Sequence, residues 1–532
     1  MSEQTTPDAL ARLATSLGEE NVLVDPDRIA AYDESLIPVE RAISGVVRPA
    51  SHDEVVTTVR TADRHGMPIA PISRGKNWGY GSAKPPADDT VIVDLGRLDR
   101  IRTVDEELGY AVIEPAVTPG QLHEHLRENG IDLVVDPPGA GPNVSLVGNA
   151  LERGIAAGRY HDRFGAVCSM RVVLPNGETV RTGFGAFDDA RATHVYEYGV
   201  GPHLAGLFSQ SNFGVVTEVG LWLAPKPERV EAFFVQVDGT NALPDLVGPI
   251  RELHRRGVVD APIVVANRNR ALTLATQCPD EYLGREIPER VLERMAEEHR
   301  RFDWNLVGAL YGTDETLPAL RQEVTRRFEA EGYSAMFVSE EFLESSGLGD
   351  RIPALRSTLE LFEGVPNERS LRTAYWRVGT EPPEEDIDPT EDDCGVYWVS
   401  PVVPLTEADV RDFLTCAREV FDDYHLEFCL NFDAVSSRAA VCLVPVLFDA
   451  ADEAETRAAT ELYERLHERF LEEGFVPYRE SIAMMDEIAG DSAYWSLCRS
   501  IKRAIDPNHV LAPGRYERAP DAEERRADQG HD

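Results

Sequence analysis

The sequence predicts an α+β fold with more than one domain, and three observations predict it. Helix and strand signals alternate from Val46 to Val93, without the strand–GxGxxG–helix unit of a nicotinamide-binding fold. The chain breaks at Pro225-Lys226-Pro227, directly after a strand-like run. A short segment returns after Pro477 and ends in DPNHVLAPGRY.

Each element follows from its local pattern. SHDEVVTTVRTADRHG has helical spacing, with Ser51 as N-cap. MPIAPIS and TVIVDLGRL are apolar strands, and YAVIEPAV is a third. TPGQLHEHLRENG is a capped helix. In CSMRVVLPNGETVRT, two strands flank Asn176-Gly177, a strong two-residue turn signal. Val215–Leu223 is a further strand. From about 228 to 475 the chain reads as more helical and strongly acidic. EPPEEDIDPTEDD at 381–393 reads as an exposed loop, and 517–532 as a disordered tail.

Composition narrows the function classes. A chain of 532 residues, 42% hydrophobic, can bury more than one core. A formal charge of −40 repels nucleic acid and anionic membranes, so neither is expected as a partner. No apolar run reaches the roughly 18 residues of a membrane helix. The first residues, MSEQTTPDALARLATSLGEE, carry no secretory signal pattern. The seven cysteines are scattered and form no CxxC, which argues against disulfides and against a metal site. The expectation is a cytoplasmic protein with reduced thiols.

Two loops carry chemistry. PISRGKNWGYGS at 71–82 follows an apolar strand, and its glycines allow close backbone approach to a phosphate. PPGAGPNVSLVGNALERG, from Pro137 to Gly154, supplies a second flexible loop and a helix start whose N–H groups suit a pyrophosphate. Two such loops in one α+β region point to a long, diphosphate-containing cofactor.

These runs carry a resemblance. RGKNWGYGSA, EPAVTPGQL, GNALERG, LFSQSNFGVVTEVGLWLAPKP, WNLVGALYGT, PYRESIAMMDEI and DPNHVLAPGR occur in order along nearly the whole chain. The sequence resembles the vanillyl-alcohol oxidase / 4-cresol dehydrogenase (p-cresol methylhydroxylase) family of FAD flavoproteins. The resemblance implies a two-domain FAD-binding fold with a cap, or substrate, domain built on an antiparallel sheet flanked by helices. It implies an FAD domain from residues 1–226, a cap from 227–475 and a returning segment from 476–516. FAD would contact Pro71, Ser73, Arg74, Gly75, Lys76, Asn77, Gly79, Gly81 and Ser82 of the first loop. It would also contact Pro138, Gly148, Asn149 and Gly154 of the second, Gly214, Val215 and Val216 at a strand start, and Arg515.

The same resemblance implies that Tyr80, Tyr478 and Arg479 hold a substrate phenol as its phenolate. The physics agrees: a guanidinium and two hydroxyl donors stabilise the anion of a group whose pKa is about 10 in water. A para-substituted phenolate pushes electrons into its ring, which makes hydride loss from the benzylic carbon to flavin N5 feasible. The product is a p-quinone methide. Trp398, Asn431 and Phe432 of the cap would wall the substrate pocket, and the small side chains of Ser436, Ser437, Ala439 and Ala440 suggest room there.

Departures from the family pattern matter as much. Some family oxidases carry an aspartate before the GNA helix as a base near N5; here Ala140 stands in its place, with Asn143 nearby and Asp136 further off. The histidine that links flavin in the oxidases is replaced by Val396. The 4-cresol dehydrogenases link through a tyrosine, for which Tyr375 in AYWR is the candidate and Tyr397 the weaker one; non-covalent FAD is the alternative. With a weakly assisted hydration, products are expected to lean toward desaturation or trapping by a group on the substrate. The expected acceptor is O2 or a cytochrome, and the expected assembly a homo-oligomer. Rival readings are an FAD oxidase of a 2-hydroxy acid or lactone, a cytochrome-coupled dehydrogenase subunit, and a non-catalytic flavin-binding scaffold.

Overall fold

The structure is a computed structural model, and it describes residues 6–518. Three of the four sheets among the described residues organise it. The first has the strand order Val22–Leu23, Ile43–Val47, Thr90–Asp94, Ile69–Ile72, and its last three strands run parallel. Parallel neighbours need a crossover, and helix His52–His65 supplies it, capped by Ser51 as its sequence predicts. The helix buries Val55, Val59 and Ala62 against Val47, Val91 and Val93. The second sheet is antiparallel, in the order Ile101–Asp105, Tyr110–Ile113, Val215–Trp222, Val167–Val173, Thr179–Arg181. Its last two strands are the expected hairpin, with Gly177 at φ 78° in the turn.

The third sheet is eight-stranded and antiparallel. From the edge strand Ala335–Val338 it runs Arg229–Val237, Trp304–Gly312, Ile263–Asn267, Asn431–Ala434 and Ala439–Asp449 to Cys394–Val399 at the other end. Side chains alternate across a strand, and here the alternation divides two environments. Phe233, Val235, Val265, Phe432 and Val444 pack against helices Leu243–Arg255, Leu317–Glu329, Glu407–Phe421 and Glu453–Glu472 to form the largest core. The alternate residues, among them Phe234, Val264, Ala266, Asn431 and Asp433, face a cavity.

The C-terminal segment returns to the first sheet. Leu511 bridges Ile69 in parallel, and Ala512 N–H donates to the Ile69 carbonyl. Lys502, fully buried, donates to Asp506 and to the carbonyls of Asn212 and Leu511, fastening this return. Two sequence expectations change here. Glu517, read as the start of a loose tail, is buried and accepts from Asn212 Nδ2 at 2.6 Å; residues 519–532 of that tail lie outside the described residues. The acidic stretch 381–393 is irregular but not wholly exposed. Ile387 and Pro389 are buried, and Asp388 pairs with Lys76 at 3.0 Å, because this stretch folds back over the glycine loop. All seven cysteines are free thiols. Among the described residues, no helix is long and apolar enough to cross a membrane, and no cluster of side chains suits a metal ion.

Candidate active site

A cavity of about 1320 Å³ lies between the glycine loop, the second loop and the free face of the large sheet. It exceeds the roughly 300–1000 Å³ of a drug-sized pocket, so it can hold a dinucleotide and a second molecule. Pro71, Ser73, Arg74, Gly75, Lys76, Asn77, Tyr80 and Ser82 line it from the first loop. Pro138, Gly148, Asn149 and Gly154 line it from the second, joined by Gly214, Val216, Arg515, Trp398, Asn431, Tyr478 and Arg479.

The backbone explains why the first loop can meet a diphosphate. Among the described residues, the N–H groups of Arg74 to Trp78 have no acceptor within the protein, whereas those of Tyr80 and Ser82 both donate to the Asn77 carbonyl. Consecutive open N–H groups form an anion-binding concavity. Gly79 and Gly81 do not line the cavity; they let it exist. Gly79 sits at φ 74°, and a Cβ there would meet Trp398 Cδ1 at 2.2 Å. Gly81 sits at φ 122° with Ile482 Cδ1 2.6 Å from where its Cβ would be. The second loop works differently from its sequence reading. Its helix, Leu146–Leu151, is short, and Ser145 Oγ caps the Gly148 N–H at 2.7 Å, so that donor is taken. What Gly148 provides is closeness, since a Cβ would meet Ser73 Oγ at 2.7 Å. Buried and unpartnered Ser82 Oγ, Asn149 Oδ1 and Ser211 Oγ border the cavity. Open amides, polar atoms lacking partners and close glycines fit FAD.

At one end, three side chains named from sequence meet. Arg479 lies over the Tyr80 ring with its guanidinium carbon 4.0 Å from the centroid. Tyr80 Oη shares a hydrogen bond with Ser400 Oγ at 2.9 Å, and the Tyr478 N–H donates to the Ser400 carbonyl at 3.0 Å. Ile482 N–H donates to the Tyr80 carbonyl at 3.0 Å, so residues 478–482 are stitched between Ser400 and the glycine loop. Burial pushes the Tyr80 hydroxyl well above its ordinary range, and the neighbouring Tyr478 adds to it. Tyr478 is raised by burial too, with Arg479 opposing. Both hydroxyls therefore stay protonated and able to donate. Arg479 is fixed by Asn77 Oδ1 and by Glu152, whose carboxylate lies 3.3 Å from Arg479 Nε and also binds Arg515. Glu152 follows the GNAL helix, so that motif orients the arginine as well as bordering the cavity.

Some expected residues lie elsewhere. Tyr375 is fully buried and outside the cavity wall, and its hydroxyl donates to Asp392 at 2.7 Å. Tyr397 stacks on Tyr463 with centroids 4.3 Å apart. Val215 and Phe432 point into cores on the opposite strand faces, because their neighbours Val216, Asn431 and Asp433 take the cavity side. Asp136 is buried outside the wall, its carboxylate accepting the Tyr160 N–H at 2.5 Å. Sequence reasoning missed Asp433. It lines the cavity, is 7% exposed, has an unpartnered Oδ1, and burial pushes it up to about 7 while Arg270 pulls it down.

Comparison with known proteins agrees with this geometry. Residues 43–183 match the FAD binding domain family, and 395–516 match the C-terminal domain of FAD linked oxidases. The chain is 34% identical to 1'-carboxy-chondrochloren decarboxylase of Chondromyces crocatus, over 97% of this chain and 98% of that protein. It is 31% identical to the 4-cresol dehydrogenase [hydroxylating] flavoprotein subunit of Pseudomonas putida, covering 95% and 94%. The crystal structure of p-cresol methylhydroxylase with substrate bound superposes with a TM-score of 0.88 at 30% identity, covering 96% of each chain.

Proposed function

The chain belongs to the vanillyl-alcohol oxidase / 4-cresol dehydrogenase family of FAD-dependent oxidoreductases, and on that premise we propose that it oxidises a 4-substituted phenol at the benzylic carbon. The observation that carries this reading is the convergence of Tyr80, Tyr478 and Arg479 at one end of the cavity. A 2-hydroxy acid or a lactone has no phenolate for such a set to hold.

The residues divide the work. Tyr80 and Tyr478 donate hydrogen bonds to the phenolic oxygen, and Arg479 supplies the charge that favours its anion. Glu152 and Asn77 keep the guanidinium in position. Trp398 and the free sheet face orient the ring and exclude water. When bound, FAD supplies the two-electron acceptor that takes the benzylic hydride. The oxidised substrate is a p-quinone methide. Ala140 supports no base at the second loop, and Asp136 is engaged with Tyr160. Asp433 is the carboxylate we assign to accept a proton from water that adds to the quinone methide; its elevated pKa suits a base working near neutrality. The position of Tyr375 against Asp392 favours non-covalent FAD. Electrons leave to O2 or a cytochrome, a choice read from the rate of flavin reoxidation in air.

The test is anaerobic mixing of the FAD holoenzyme with a panel of 4-alkylphenols and 2-hydroxy acids. Bleaching of the flavin by the phenols alone is the expected result. Bleaching by a hydroxy acid and by no phenol overturns the reading.

A further inference from the structure

Three arginines of the cap converge on one stretch of the cavity wall. Arg270 belongs to helix Arg268–Thr273, Arg301 precedes strand Trp304–Gly312, and Arg369 opens the 3-10 helix Arg369–Trp376. Their protein partners are neutral. Arg270 donates to the hydroxyls of Thr273 and Thr373, and Arg369 to Thr358 Oγ1 and the Ala354 carbonyl. The Nε atoms of Arg270 and Arg301 are buried without a partner, and Arg270 is only 3% exposed.

This is out of keeping with the rest of the chain. With 93 acidic residues, carboxylates are plentiful. Arg268, two residues before Arg270, takes Glu289 and Asp303, and the buried Arg377 takes Glu427 and Glu455. Among the described residues, none of the three cavity arginines forms an ion pair with a carboxylate. Burial, together with repulsion from Arg301 and Arg270, pushes Arg369 down to about 10. Guanidiniums gathered on a cavity wall with no carboxylate in an ion pair, and with only Asp433 in electrostatic reach of Arg270, gain from an anion that completes them.

We propose that Arg270, Arg301 and Arg369 form a receptor for a carboxylate carried on the para side chain of the phenolic substrate, an inference that rests on the phenol reading above. Guanidiniums match a planar carboxylate with paired donors. The cluster is placed for it. Asp433 is within electrostatic reach of Arg270 on one side and of Tyr478 on the other, which links the arginines to the phenolate end along one wall. Ser370, beside Arg369, lies 3.5 Å from where a Cβ on Gly139 would be, so the cluster borders the loop that carries Ala140. The diphosphate of FAD has its own seat at the open amides of 74–78. A side-chain carboxylate anchored by the cap would hold the benzylic carbon between the two anchored ends of the substrate.

The test titrates the FAD holoenzyme with 3-(4-hydroxyphenyl)propanoate and with its uncharged primary amide, following binding by calorimetry and anaerobic flavin reduction separately. The acid is expected to bind tighter by roughly 10- to 100-fold. In Arg369→Gln, and in Arg301→Gln as a second variant, that ratio should collapse toward unity. Equal binding of acid and amide by the wild type overturns the proposal without any variant. Loss of flavin from Arg369→Gln with an unchanged acid-to-amide ratio also overturns it, since the arginine then serves the cofactor. Preferential acid binding with no flavin reduction by either compound leaves the carboxylate receptor standing and removes the phenol chemistry. Flavin reduction by both at equal affinity does the reverse.

Discussion

The two sides of the cavity are built by different means. The glycine-loop side is made of backbone: open amides at 74–78 and glycines whose missing Cβ atoms admit Trp398, Ile482 and Ser73. The cap side is made of side chains: Asp433, Asn431 and three arginines projecting from strands and short helices. A backbone surface presents the same donors whatever the side chains do, which suits an invariant diphosphate. A side-chain surface can be rebuilt residue by residue, which suits a varied substrate. The end we assign to the phenol lies at the seam, where Tyr80 from the loop meets Tyr478 and Arg479 from the returning segment.

The largest expected effect is at that seam. Arg479→Ala removes a charged donor from a buried site, which costs about 2–4 kcal/mol, or roughly 30- to 1000-fold in kcat/KM for a 4-alkylphenol. FAD content should fall far less than turnover, because Arg479 touches the amide loop only through the Asn77 side chain. Near-normal turnover would remove the arginine from the chemistry.

Asp433→Asn tests the cap side. A carboxyl raised to about 7 is protonated below that pH and ionised above it. A base at this position makes formation of the benzylic alcohol rise with pH through about 7, and the variant should lose that limb with a fall of roughly 100-fold in hydration. The linkage has the opposite sign for stability. The folded protein holds this proton between the ordinary carboxylate pKa and about 7, so Asp433 costs stability as pH rises across that window, and the variant should gain on the wild type there. An unchanged pH profile for the alcohol product would return the base role to another group.

How much of this was legible follows the same division. RGKNWGYGS and the Tyr478-Arg479 pair concentrate their constraints in a few consecutive residues, so the resemblance could carry them, and the structure brings Tyr80, Tyr478 and Arg479 together on the cavity wall. LNFDAV could not be read that way. Strand register decides whether Asn431, Phe432 or Asp433 faces the cavity, and one step of register exchanges the faces; the pattern alone puts Phe432 in the pocket and gives no sign of Asp433. The arginines were invisible because they stand at positions 270, 301 and 369, brought together only by the large sheet. Tyr375 failed to reach the cavity for a similar reason, since Asp392 on the folded-back acidic stretch takes its hydroxyl.

Two smaller predictions sharpen the backbone half. Gly79→Ala forces a Cβ into Trp398 at a left-handed φ and should cost about 1–3 kcal/mol, seen as lower FAD retention and a lower melting temperature. Lys76→Ala, in the same loop, removes a partly exposed bridge to Asp388 and a contact with the Trp78 ring, together worth about 1 kcal/mol, and should leave FAD content unchanged. If the lysine substitution empties the site while the glycine substitution does not, the loop binds through its side chains and the contrast fails.

The central claim is that Tyr80, Tyr478 and Arg479 hold the substrate as a phenolate. It is tested most directly by titrating the holoenzyme with 4-hydroxybenzonitrile, which has no benzylic hydrogen to lose, at a pH well below its solution pKa. Binding should bring up the absorption of the phenolate in the wild type and not in Arg479→Ala. Binding that leaves the ligand as neutral phenol in the wild type would contradict the account.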